Sequence, residues 1–190
     1  MIRLLPALFL ACSFPAQAAW YLDNESSRLS FISTHSENVS QVHTFMTLRG
    51  QISDEGKARL RVELDSVLTG DASRDEQLRR YVFDTEKYPQ ALIKAQVAMP
   101  PITDLAPGAQ MEMRLPLTLT LGARSRRYQA ELLVTRLDDR RFQVVTLAPL
   151  VLNATDFGLG KQVQALTEAA RLPSISLSVP VGAVLIFTAR

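Results

Sequence analysis

The chain of 190 residues has one cysteine, two histidines and one tryptophan. The cysteine, Cys12, lies in an apolar amino-terminal run. Removal of that run would leave no disulfide, no thiolate nucleophile and no cysteine metal ligand. A mononuclear metal site would need His35 and His43 to converge with carboxylates, and no metal is expected. Neither sign of charge dominates: 21 Lys and Arg stand against 19 Asp and Glu. That balance argues against nucleic acid as a partner, and Arg124, Arg126 and Arg127 read as a solvated strand face. No apolar run reaches the roughly 20 residues of a permanent membrane helix. Internal repeats, low-complexity tracts and a G-x-S-x-G nucleophile elbow are also missing, so no catalytic residue is assigned.

What is present begins with a leader. Residues 1–18 read as a secretory signal peptide: Arg3 supplies the positive start, Leu4 to Phe14 the apolar stretch, and Ala16-Gln17-Ala18 the small residues of a cleavage site. Cleavage is expected after Ala18, with Ala19 as the alternative. A lipoprotein cut before Cys12 is disfavoured, because Phe9-Leu10-Ala11 fits a lipoprotein box poorly. Loss of Arg3 with the leader would take the basic count from 21 to 20 against 19 acids. Residues 19–190 then form one domain in the periplasm, large enough to bury a core.

Alternation with a period of two dominates that domain, which is the signature of half-buried strands. Met111, Met113, Leu115, Leu117, Leu119 and Leu121 alternate with mostly polar neighbours. This strand would extend over roughly 35 Å, with Pro116 marking an edge, a bulge or a bend. Leu60, Val62 and Leu64 follow the same pattern, as do Tyr128 to Val134, Phe142 with Val144, and Ile175 to Val181. With shorter candidates at residues 28–34, 41–49 and 91–99, about eight antiparallel strands result. Long strands of this kind escape the edge problem by closing into a barrel. Alternation breaks only at residues 69–89, where Asp71 or Ser73 can cap a short helix and a further helical turn is expected at residues 84–87. This stretch reads as an insert across one barrel mouth. His43 falls on the strand face opposite Val42, Met46 and Leu48 and is expected to point outward.

The insert carries the most specific motif. Ser66-Val67-Leu68-Thr69-Gly70-Asp71, Arg74-Asp75, Leu78-Arg79, Phe83-Asp84 and Lys87-Tyr88-Pro89 resemble the central signature of the YceI-like polyisoprenoid-binding family. Asp23, Ser27, Leu29 and Phe31 resemble its opening strand, Phe45 and Gly50 its second, and Asp156 to Leu159 the turn before its last. Ser26 stands where many members carry histidine, and His43 where many carry glycine. The resemblance implies an all-β fold, an antiparallel eight-stranded lipocalin-like barrel with a short helical insert at one mouth. It also implies an isoprenoid chain, or an isoprenoid-tailed quinone, in the lumen, without established catalytic residues or any other cofactor.

On strand register, Leu60, Val62, Leu64, Met113, Leu115, Leu117, Leu119, Leu132, Val134, Phe142 and Val144 are expected to face one apolar lumen. Periodicity alone favours a barrel simply filled by these side chains, and it is the resemblance that turns the reading to a ligand channel. Phe31, Phe45, Phe83 and Phe157 match aromatic positions of the family pattern and are expected near the lumen or its mouth. Arg74 and Asp75 are read as structural groups of the insert, pairing with each other or capping backbone, with contact to a lipid head group as the alternative. Three functions remain: a carrier of an isoprenoid lipid, an enzyme acting on such a lipid, and a ligand-free structural or stress-associated barrel. The carrier is favoured. Oligomeric state is left open, a homodimer included.

Overall fold

The computed structural model describes residues 19–36 and 38–190. The candidate leader, residues 1–18, lies outside the described residues. Among the described residues twelve strands form one sheet: β1 (Trp20–Leu22), β2 (Arg28–His35), β3 (Val39–Phe45), β4 (Leu48–Ile52), β5 (Lys57–Glu63), β6 (Val67–Leu68), β7 (Gln90–Gln96), β8 (Gln110–Leu121), β9 (Arg124–Asp138), β10 (Arg141–Thr146), β11 (Leu150–Asn153) and β12 (Ser178–Ala189). Every pairing is antiparallel, and the path β1-β4-β5-β7-β8-β9-β10-β12 closes because β12 also pairs with β1. Closure leaves no strand edge along this ring.

Some staves of the barrel are interrupted. β12 pairs with β1 through Phe187–Ala189 and with β2 through Val181–Val184, so β1 and β2 are two lengths of one stave. β3 continues β4 in the same way, since β2 pairs with β3 and β1 with β4. β10 and β11 share β12 likewise. Counted by staves, the barrel has the eight antiparallel strands read from the sequence.

Local chemistry accounts for the turns. Gly122, at φ +60°, lies in the two-residue link between β8 and β9, where tight hairpins favour positive φ. Gly56 has φ +77°, and a Cβ there would overlap the Val97 carbonyl oxygen. Pro116 sits opposite Gln129 of β9, one residue beyond Leu117, the last β8 residue paired with β7. Its missing N–H therefore falls where the β7 ladder has ended.

Helical segments close the two ends differently. At one end α1 (Ala72–Gln77) runs into a π-helical turn, Leu78–Phe83, and Asp71 is the N-cap, accepting from the Ser73 and Arg74 amides. Asp84, at φ +50°, ends this segment, and the next residues form a turn closed by Tyr88 N–H to the Asp84 carbonyl. α2 (Pro100–Thr103) stops the opposite end with buried Ile102. A third helix, α3 (Gly160–Ala169), packs on the π-helical turn and buries Val163 and Leu166. The sequence reading placed no helix there.

Two hydrophobic clusters follow from this arrangement. One end is solid: Trp20, Ile52, Val97, Met99, Ile102, Val134, Phe142 and Phe187 pack together. The Phe142 ring lies 4.7 Å from Trp20 and 5.3 Å from Phe187, centroid to centroid. The other end, beneath α1 and α3, is lined by the second cluster and is hollow.

Candidate ligand-binding site

The hollow end holds a cavity of about 510 Å³, within the ~300–1,000 Å³ usual for small-molecule sites. Its walls come from both barrel and helices. β2 and β3 supply Phe31 and Phe45, whose rings lie 5.3 Å apart, and Phe83 of the insert stands 5.8 Å from Phe45. Val62, Leu117 and Leu119 close the opposite wall, while Val163 and Leu166 of α3 cover the top. Each barrel side chain is aimed inward by strand alternation. Long apolar side chains at i and i+3 do the same for α3.

The sequence-predicted lumen residues divide between the two ends. Phe31, Phe45, Val62, Leu64, Phe83, Leu117, Leu119 and Phe157 line the cavity. Leu60 belongs to the same cluster without lining it. Met113, Leu115, Val134, Phe142 and Val144 pack instead in the solid end, and Leu132 is buried opposite Met113. The single lumen expected over the whole length of β8 is therefore corrected. The strand keeps one inward face, but below Leu117 the rings from β1, β10 and β12, together with α2, fill the interior.

Polar groups gather at the mouth, where the hairpin of β2 and β3 meets α1: Ser33, His35, Gln41, His43, Asp71, Ser73, Arg74 and Gln77 line it. Arg74 donates to the Gln41 side-chain oxygen and joins no salt bridge among the described residues. Asp75 is buried, and its carboxylate accepts the Thr69 amide at 2.7 Å. Among the described residues no Arg74–Asp75 ion pair forms, and the Asp75 carboxylate engages backbone instead.

His43 is the main surprise. It is 2% exposed and faces the cavity, not solvent, whereas Val42 is 65% exposed and Met46 50%. The sequence reading carried alternation from β3 straight into β4. The chain breaks between them at Met46 and Thr47, so Phe45 and Leu48, three apart, both point inward and the faces before the break are reversed. The His43 Nε2 lies 2.7 Å from the Ser33 hydroxyl, and its Nδ1 is buried with no hydrogen-bond partner among the described residues. Burial, and next the nearby Arg74 charge, lower the His43 pKa, with Asp75 acting in the opposite sense. The ring is thus held neutral near neutral pH. His35 also lines the cavity and approaches Ser36 at 3.2 Å. Among the described residues no group of three or more His, Cys, Asp or Glu is arranged to hold a metal ion.

Ser33, Gln41 and the α3 residues were missed from sequence. Ser33 and Gln41 share the inward parity of Phe31 and Phe45, which was the available signal. Val163 and Leu166 offered only one helical turn of it.

A closed antiparallel barrel, solid at one end and hollow, apolar and helix-covered at the other, defines the lipocalin-like class. The chain belongs to the YceI-like domain family, whose match runs over residues 20–186. A polyisoprenoid binding domain from Saccharophagus degradans implicated in plant cell wall breakdown is similar in structure, with TM-score 0.89 and 34% identity over 91% of this chain and 99% of that one. Burkholderia cenocepacia BcnA shares the fold at TM-score 0.68 and 17% identity, over 87% of this chain and 98% of that one. The Campylobacter jejuni YCEI protein does so at TM-score 0.50 and 16% identity, over 75% and 83%. Among curated proteins, none matches the chain.

Proposed function

We propose that this protein binds an isoprenoid-type lipid, a polyisoprenoid or an isoprenoid-tailed quinone, with the tail in the cavity and the head at the polar mouth. The observation that carries the reading is the hollow apolar end itself, bounded by aromatic and aliphatic walls and polar at one side only. An isoprenoid tail buried there gains roughly 25 cal/mol for each Å² of apolar surface removed from water. The similar Saccharophagus degradans domain, described as polyisoprenoid binding, supports the same ligand class.

The role is that of a carrier, not an enzyme. Ser33 and His43 are in contact, but a nucleophile–base pair also needs a group to orient the base. The Asp75 carboxylate is engaged by the Thr69 amide, and His43 Nδ1 has no partner among the described residues. The protein is exported to the periplasm, beginning near Ala19, as the leader motif implies.

Native mass spectrometry of protein purified from the periplasm tests both points. Co-purified isoprenoid on a chain starting near Ala19 supports them. An empty barrel that takes up no added isoprenoid overturns the ligand, and a diacylated Cys12 overturns the processing. Leu117→Trp tests the cavity directly, since the indole narrows the channel while keeping the wall apolar. The folded variant is expected to lose affinity for a long isoprenoid and to be less affected for a short one. Overpacking itself costs about 1–3 kcal/mol, so folding is verified first by circular dichroism. Unchanged affinity for the long ligand would refute the cavity assignment.

A further inference from the structure

We propose that the buried His43 Nδ1, with Ser33 holding the other ring nitrogen, is a head-group subsite for one uncharged oxygen, a hydroxyl or a carbonyl, of the bound lipid. The inference rests on the lipid reading above and deepens it from tail burial to head-group selection. A polar nitrogen buried without a partner forfeits its hydrogen bond to water, and such groups in folded proteins are ordinarily satisfied. His43 Nδ1 is such a group, on a residue that is 2% exposed and lines the cavity.

Its chemistry suits either oxygen. Nε2 lies 2.7 Å from the Ser33 hydroxyl, which can donate or accept. When Ser33 donates to Nε2, Nδ1 carries the proton and donates to a carbonyl. When Nε2 donates to Ser33, Nδ1 accepts from a hydroxyl. A neutral imidazole has one donor and one acceptor, and the rotating serine lets the pair choose which of the two Nδ1 offers.

A phosphate head fits the mouth less well. Among the described residues the charged ones lining it are Arg74 and Asp71, one of each sign, and the buried Asp75 carboxylate lies next along the chain. Arg74 already spends a donor on Gln41. A neutral ring and a balanced mouth provide no net positive field for a dianion.

The test compares geranylgeraniol, geranylgeranyl phosphate and the matching hydrocarbon without oxygen, titrated into the intact mature protein and its variants. Wild type is expected to bind the alcohol about tenfold more tightly than the hydrocarbon, the gain of one hydrogen bond in a desolvated site, and more tightly than the phosphate. In His43→Leu the alcohol-to-hydrocarbon ratio is expected to fall to about one. Ser33→Ala keeps the ring and is expected to reduce the ratio only in part, which covers the case where His43→Leu does not fold. Nitrogen NMR gives a direct readout, because the two histidines are easily told apart: the alcohol is expected to shift the His43 imidazole nitrogens and the hydrocarbon to leave them. Equal alcohol and hydrocarbon affinity in wild type would overturn the subsite while leaving the lipid reading intact. So would an alcohol preference that survives in folded His43→Leu. Tightest binding of the phosphate, abolished by Arg74→Gln, would assign the head group to Arg74 instead. Failure of all three probes to bind would overturn the lipid reading itself.

Discussion

Asp75 accepts the Thr69 amide at 2.7 Å while 5% exposed, so it ties the start of the insert to the barrel just after β6. Asp75→Ala leaves that part-buried amide unpaired and is expected to destabilise the fold by about 1–3 kcal/mol, read by urea denaturation. A variant of unchanged stability that no longer binds lipid would move Asp75 from the scaffold to the site. His43 supplies a pH dependence of determined sign. Its folded pKa is lowered by burial and by Arg74, while the unfolded chain takes up the proton near pH 6.5. The unfolded state therefore binds more protons below that pH. The stability contributed by the neutral ring is full above about pH 6.5 and declines as pH falls toward the lowered folded value. Thermal melts between pH 7.5 and 5 are expected to show this decline in wild type and a flatter profile in His43→Leu. The same decline in both proteins would place its origin elsewhere. Asp23, Asp71 and Asp138, whose pKa values are also lowered, titrate below the ordinary carboxylate value of roughly 4 and so outside this window.

At the scale of elements, β8 and β3 teach opposite lessons. β8 alternates without a break and pairs with β9 residue for residue from Gln110 to Leu121, so its face could be read directly. β3 and β4 are one stave with a break at Met46 and Thr47, and period-two reading carried across that break inverts every face on its far side. The reversal hid His43 and left Val42 looking internal. Val42→Thr, on the exposed face, is accordingly expected to change stability by no more than about 0.5 kcal/mol. Phe45→Ala, among the Phe31 and Phe83 rings, should cost about 3–5 kcal/mol. Comparable losses at both positions, by denaturant midpoint, would overturn the face assignment. The helical elements differ for a related reason. α1 announced itself through Asp71 and the break in alternation. α3 buries only Val163 and Leu166 along ten residues, too short an apolar stripe to stand out beside strands.

For the whole molecule, the sequence expressed the barrel but not the division of its interior. Inward residues of a filled length and of a hollow length obey the same alternation, so Leu115 and Leu117 look alike in sequence though one packs in the solid end and the other borders the cavity. The boundary is set by residues far apart in the chain: Trp20, Phe142 and Phe187 converge from three strands, and Met99 and Ile102 close the end from the α2 region. Stability and capacity are thereby assigned to different ends. The solid end holds the ring of strands together where β1 seals it against β12, and the hollow end leaves room for a guest. Phe142 lies at the centre of the solid end, fully buried between Trp20 and Phe187. Phe142→Ala removes most of a ring from a site whose neighbours are fixed by strand pairing, so the void can close only in part. The expected cost is about 3–5 kcal/mol, a drop of roughly 10 °C in melting temperature for a domain of this size. Uptake of isoprenoid per folded molecule, measured well below the new transition, is expected to match wild type, because no cavity wall has changed. A folded Phe142→Ala protein that has lost its uptake would mean that the two ends are coupled and that the solid end helps shape the cavity.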